Sequence, residues 1–170
     1  MSVPIRQSAV HLQNSLRKNQ DLESDPLAMD IPPVNILLVE DNPGDVFLIN
    51  RMLEECAFRY TLHRVENGEA ATDFLRQNQA SRKAPFPQLI LLDLNLPIKN
   101  GREVLADIKS DPTLQHIPVI VLSTSNSPED IEESYRLKAD YYVTKPSSFH
   151  EFADKAQDIH GFWLRWQKNT

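Results

Sequence analysis

From Val34 to Asp41 the chain reads VNILLVED, six uncharged residues followed by two carboxylates. A run of that length without polar alternation belongs to a strand covered on both faces. Two more runs repeat the pattern. LILLD spans 89–93, and PVIVLSTS spans 118–125, with its apolar part over 118–122. The stretch 60–65 (YTLHRV) alternates instead, as a half-exposed strand at a sheet edge does, and 141–143 (YYV) reads as one further short strand. Between these runs the apolar spacing changes from two to three and four. Val46, Ile49, Leu53 and Cys56 mark one helical face over 44–56. A second helix is expected over 67–78, capped by Asn67 or Gly68, a third over 101–110 and a fourth over 128–138. A fifth, over 147–166, carries Phe149, Phe152, Ala156, Ile159 and Trp163 on one stripe. Five strands alternating with five helices describe an open α/β sandwich with a parallel sheet and right-handed crossovers.

Bulk properties agree with one globular unit. The chain has 170 residues, of which 41% are hydrophobic and 25% charged, with a formal charge of −6. A domain of about 130–150 residues buries enough surface to fold without a disulfide or a structural metal. Cys56 is the only cysteine, which excludes an internal disulfide and a thiolate-rich zinc site and points to a reducing, cytoplasmic setting. The acidic balance argues against nucleic acid or an anionic membrane as partner. No apolar run is long enough for a secretory signal or a membrane span. Residues 1–33 differ in character: they are polar, hold Pro4, Pro26, Pro32 and Pro33, and read either as a flexible extension or as a short helix on Ile5, Ala9, Leu12 and Leu16. The globular domain is therefore placed at 34–170.

Chemistry concentrates at the strand ends. In open α/β sheets the functional edge lies beyond the carboxyl ends of the strands. Here those ends are Glu40-Asp41, Asp93, Ser123 and Lys145. Each alone could be a turn or cap residue; together they bring three carboxylates, a hydroxyl and an ammonium to one edge. Two carboxylates about 4 Å apart repel by roughly 4 kcal/mol at an effective dielectric near 20, so three do not stay ionised without a cation or a proton. Mg²⁺ suits the set, since it accepts one or two carboxylates, backbone carbonyls and waters and keeps positions for phosphoryl oxygens.

Four strings carry a family likeness: VEDNPGD (39–45), LLDLNLPIKNG (91–101), PVIVLSTS (118–125) and ADYYVTKP (139–146). In order and spacing they resemble the signature blocks of response-regulator receiver domains, over about residues 34–166. VEDNPGD, DLNLP and the closing helix through Phe162-Trp163-Leu164 are similar to the single-domain regulators paired with bacterial phytochromes. The resemblance implies a flavodoxin-like (CheY-like) doubly wound sandwich, with five strands in the order 2-1-3-4-5 and five helices. It also implies a role for each matching residue. Asp93 would be the phosphoacceptor, attacking a phosphohistidine of a sensor histidine kinase of phytochrome type. Asp41 would be the main Mg²⁺ ligand, and Glu40 would act through a metal-bound water. Many members carry aspartate where this chain has Glu40. Asn95 would give the metal its backbone carbonyl. Lys145 would bridge to the phosphoryl group, Ser123 would be the switch hydroxyl with Thr124 as the alternative, and Tyr142 would turn inward as that hydroxyl moves, unless it is a plain strand aromatic. The Lys145-Pro146 bond is expected to be cis.

The same likeness implies a module that switches a protein-binding face formed by the fourth helix, fifth strand and fifth helix, with homodimerisation through that face. Slow self-dephosphorylation would be its only catalysis beyond accepting the phosphoryl group. Only 25 residues follow Lys145, so no helix-turn-helix or catalytic output domain is expected. Two other classes stand beside this reading: a degenerate receiver acting as a scaffold, and an aspartyl-phosphate enzyme, for which Asp93-Leu94-Asn95 lacks a second aspartate. The five histidines show no metal-ligand spacing, and the four glycines form no nucleotide-binding loop. Phe162, Trp163 and Trp166 either finish the core or form an exposed patch.

Overall fold

The computed structural model describes residues 32–81, 86–148 and 151–169. Five strands, β1 (Val34–Val39), β2 (Tyr60–Val65), β3 (Leu89–Asp93), β4 (Val119–Ser123) and β5 (Tyr141–Thr144), form one sheet in the order β2-β1-β3-β4-β5. Every pairing is parallel. The helices are α1 (Pro43–Glu54), α2 (Gly68–Ser81), α3 (Gly101–Ser110), α4 (Pro128–Arg136) and α5 (Phe152–Lys168).

The period of two in the strands splits the core in half. Ile36, Leu38, Leu89, Leu91, Ile120, Leu122 and Val143 face α1 and α5, where Ile49, Met52, Leu53, Ala156, Ile159 and Trp163 meet them. Leu37, Val39, Ile90, Leu92, Val119 and Val121 face the other way and pack with Ala71 and Leu75 of α2 and Val104, Leu105 and Ile108 of α3. Each such side chain contributes about 1.5–3 kcal/mol when fully buried, so the uninterrupted apolar runs are what both layers require. The expected edge strand is β2, whose burial pattern includes three half-exposed positions.

The helix starts follow local capping. Asn42 accepts from the N–H groups of Gly44 and Asp45 at 2.8 and 3.3 Å, with Pro43 in the first turn of α1. Asn100 and Glu103 form a capping box on α3, and Ser127 caps α4. Asn67, one of the two expected caps of α2, accepts from Ala70 N at 2.8 Å. α4 buries Ser134, with Ile131 half-buried on the same side, and Arg102 of α3 ties it down through Asp130 and Glu133 at 2.8 Å each.

Several expectations are corrected. The last helix begins at Phe152 rather than near 147. Before it, Ser147 and Ser148 turn their donors onto the Glu151 carboxylate, an alternative to helical pairing. The β4 ladder starts at Val119, since Pro118 has no N–H to give, although its carbonyl accepts from Ile90 N. The Lys145-Pro146 bond is trans, not cis; trans is favoured by about 0.5–1 kcal/mol at such bonds. Phe162 and Trp163 are buried and Trp166 is half-buried against them, so the aromatic tail finishes the core. The expected N-terminal extension or helix, apart from Pro32 and Pro33, and Phe149 lie outside the described residues. Among the described residues no helix is long and apolar enough to cross a membrane.

Candidate functional site

Strand parity assembles the site. Asp93 continues the Leu89, Leu91 row of β3 that faces α1 and α5. Glu40 and Lys145 each extend a ladder by one bond past its strand, Glu40 N donating to Val65 O at 3.0 Å and Lys145 N to Ser123 O at 2.7 Å. Both therefore continue the same row, Ile36-Leu38-Glu40 and Tyr141-Val143-Lys145. Three polar side chains converge above the α1 side of the sheet, and all three are buried.

Lys145 stands at the centre. Its Nζ donates to Glu40 Oε2 at 2.7 Å, to Asp93 Oδ2 at 2.8 Å and to Asp45 Oδ2 at 2.6 Å, so all three ammonium hydrogens are used. Burial works against the Lys145 charge, but the hydrogen bonds to Asp45, Asp93 and Glu40 outweigh it and hold its pKa above the ordinary lysine value. Glu40 is fully buried, and that burial raises its pKa even against the attraction of Lys145. The second oxygens are bound by backbone: Asn42 N reaches Glu40 Oε1 at 3.1 Å, and Asn95 N reaches Asp93 Oδ1 at 3.0 Å.

Among the described residues, Glu40, Asp45 and Asp93 are the acids close enough to share one metal ion, with oxygens all within 4.8 Å of one another. Counting Lys145, these groups sum to a formal charge of −2, and hard carboxylate oxygens suit Mg²⁺ or Mn²⁺. The residues present thus fit a divalent cation. Asp41 is exposed and outside this group; Arg64 of β2 holds the turn below it, donating to the carbonyls of Glu40 and Asp41 at 3.2 Å each. Asn95 is exposed beside Asp93.

Ser123 is buried at the end of β4, on the opposite strand face from Asp93, and its Oγ accepts from Ser125 N at 3.2 Å. Thr124 is exposed. Tyr142 is already turned inward, and its hydroxyl donates to Ser125 O at 2.8 Å, tying β5 to the loop that follows Ser123. The segment after Asp93 is pressed onto the strand end: Gly101 N donates to Leu94 O at 3.0 Å, and a Cβ on Gly101 would lie 2.1 Å from Asp93 O. Only glycine permits that approach.

Of the residues singled out in the sequence, Glu40, Asp93 and Lys145 meet here, Ser123 and Tyr142 lie on the opposite strand face and Asp41 stands apart, whereas Asp45 and Arg64 were not among those singled out. The available signal for Asp45 was its place in VEDNPGD, in the first turn of the helix directly after the site strand. An acid there reads as a helix-dipole residue. Nothing in the alternation of β2 marked Arg64.

The family model for the response regulator receiver domain matches residues 36–157. The response regulator Rcp1 of Synechocystis is 44% identical over 133 residues, covering 78% of this chain and 90% of that protein. The crystal structure of its Mn²⁺-bound form superposes with a TM-score of 0.68, covering 78% of this chain and 95% of that one at 44% identity. That of the phosphorylated cyanobacterial phytochrome response regulator RcpA gives a TM-score of 0.69 at 46% identity, with the same coverage of 78% and 95%.

Proposed function

The chain belongs to the family of response regulator receiver domains, and from that premise we propose that Asp93 accepts a phosphoryl group from a phosphohistidine of a sensor histidine kinase, in a site that Mg²⁺ completes. The observation that carries the proposal is the convergence of Glu40, Asp93 and Lys145 at the strand ends, with Lys145 bonded to both acids. A bound Mg²⁺ would supply charge neutralisation for the incoming phosphoryl oxygens. Asp41, turning in from the rim, would be its main carboxylate ligand, with Asp93 and the Asn95 carbonyl beside it and Glu40 acting through a metal-bound water.

In the transfer, a carboxylate oxygen of Asp93 forms the new O–P bond as the N–P bond of the phosphohistidine breaks, and its electron pair returns to the imidazole. Lys145 holds the receiving oxygen in place beforehand and afterwards offers the same N–H to a phosphoryl oxygen. Ser123, freed from Ser125 N, closes onto a second phosphoryl oxygen. Tyr142 transmits the movement, because its hydroxyl holds the very loop that must shift. The readout is then the face of α4, β5 and α5, through a population shift set by those new contacts.

Similarity to the phytochrome response regulator RcpA supports a kinase of phytochrome type. Half-exposed Tyr135 and Leu164 support homodimerisation through α4, β5 and α5. The net acidity supports a protein rather than a nucleic-acid partner, and Cys56 as the single cysteine of the chain supports a cytoplasmic setting. An open groove of about 320 Å³ beside α2 is lined by Glu69, Thr72, Asp73, Arg76, Ile98 and Lys99 and by none of the site residues, which gives no support to a small-molecule enzyme.

The test is labelling with a small radiolabelled phosphodonor and Mg²⁺. The native chain is expected to take up one acid-stable, base-labile phosphoryl group, and Asp93→Asn none. Equal labelling of that variant would refute the assignment, and an unlabelled native chain would favour a scaffold.

A further inference from the structure

We infer that Asp45 is a positioning residue of this site: its carboxylate holds Lys145 in competition with the phosphoryl group, and its charge strengthens divalent-cation binding. The inference rests on the function proposed above and goes beyond it, because the four strand ends of the fold do not include Asp45.

Lys145 has three N–H groups, and Glu40, Asp93 and Asp45 take one each at 2.6–2.8 Å, with the bond to Asp45 the shortest. Phosphorylation converts the Asp93 carboxylate into an acyl phosphate, a mixed anhydride carrying a dianionic group, so the donor aimed at Asp93 passes to the phosphoryl. The other two donors stay engaged. Glu40 sits in the floor with a side chain 1% exposed, whereas the Asp45 side chain is 26% exposed and comes from α1, not from the sheet. Asp45 therefore stands at the mouth of the site, on the path of an incoming anion.

Two consequences oppose each other. Its negative charge, with an oxygen within 4.8 Å of those of Glu40 and Asp93, adds to the field that draws in a divalent ion. The same charge repels the phosphodonor and keeps a share of the Lys145 ammonium that would otherwise lie wholly on the phosphoryl. A residue with only a structural part in the first turn of α1 would change neither quantity. Replacing Asp45 leaves the buried Lys145 ammonium still paired with Glu40 and Asp93.

Asp45→Asn keeps the shape and one acceptor for Lys145 and removes only the charge. With Mn²⁺ as probe and free ion counted by electron paramagnetic resonance, without any phosphodonor, its dissociation constant is expected to rise about tenfold, from one unit charge near 5 Å acting on a divalent ion in a largely aqueous dielectric. Asp45→Glu should bind Mn²⁺ within about threefold of the native chain, since charge rather than shape is at issue. At saturating Mn²⁺, Asp45→Asn should label severalfold faster with the small phosphodonor than the native chain. Unfolding midpoints in urea confirm that both variants are folded. Native Mn²⁺ affinity and native labelling rate in a folded Asp45→Asn would overturn the inference while leaving Asp93 as acceptor. Failure of the native chain to label would instead remove the reading on which it rests.

Discussion

Replacing Lys145 with methionine keeps most of the side-chain length and withdraws the one positive charge from among three acids. The carboxylate oxygens lie within 4.8 Å of one another, so each ionised pair repels by at least about 3.5 kcal/mol at an effective dielectric near 20. Solvent weakens this for Asp45, whose side chain is 26% exposed, but not for Glu40 at 1% or Asp93 at 6%. Without the ammonium, Glu40, already raised by burial, takes up a proton rather than endure that repulsion. Forcing a proton at pH 7 onto an acid with an ordinary value of 4.5 costs about 3.4 kcal/mol at ~1.36 kcal/mol per unit. That sum limits the loss per proton and agrees with the roughly 3–5 kcal/mol expected when one member of a buried ion pair is removed.

The sign of the pH dependence follows from where the proton binds. In the variant the folded state holds a proton that the unfolded state releases above 4.5, so the folded state loses stability as pH rises. The deficit relative to the native chain should be about 0.7 kcal/mol at pH 5 and grow by about 1.4 kcal/mol per unit to pH 7. Urea unfolding followed by the fluorescence of Trp163 and Trp166 at pH 5, 6 and 7 measures it. Saturating Mg²⁺ at pH 7 should recover most of the loss, since the cation replaces the missing charge and binds the folded state alone. A deficit equal at pH 5 and pH 7 and indifferent to Mg²⁺ would refute the electrostatic account of this site.

Other substitutions test the surroundings. Gly101→Ala places a Cβ 2.1 Å from Asp93 O and 2.6 Å from Leu94 Cα, both backbone; it should cost more than about 2 kcal/mol in urea unfolding and slow labelling of Asp93, and a native-like midpoint would contradict the close approach. Asp140→Ala leaves Lys109 buried with only the Gln115 and Ile117 carbonyls; a loss of about 3 kcal/mol is expected, and one below 1 kcal/mol would show that the pair is solvent-screened. Burial on β2 lowers the pKa of His63, so the unfolded chain binds that proton first and stability falls as pH drops below 6.5. His63→Leu should accordingly gain on the native chain between pH 7 and pH 5, by at most about 1.4 kcal/mol per unit; a constant difference would exclude His63 as the source.

The sequence by itself determined the sheet, its two-sided burial and most of the reactive edge. Near-continuous apolar runs of four to six residues read as doubly covered parallel strands, and a residue at or just past a strand's end lies at the sheet's carboxyl edge whatever its neighbours do. For that reason Glu40, Asp93, Ser123 and Lys145 were legible one at a time. Who bonds to whom was decided only by the tertiary structure. Lys145 meets partners 105, 100 and 52 residues away, and Arg64 reaches the turn after Val39 only because β2 pairs beside β1. Asp41 and Asp45 are both acids near one strand end, and no local rule separates them. Strand parity carried Glu40, Asp93 and Lys145 to the α1 face, and the first turn of α1 then brought Asp45 onto Lys145 while leaving Asp41 at the rim. Such contacts depend on the packing angle of a helix against a sheet, which the linear pattern of a chain does not encode locally.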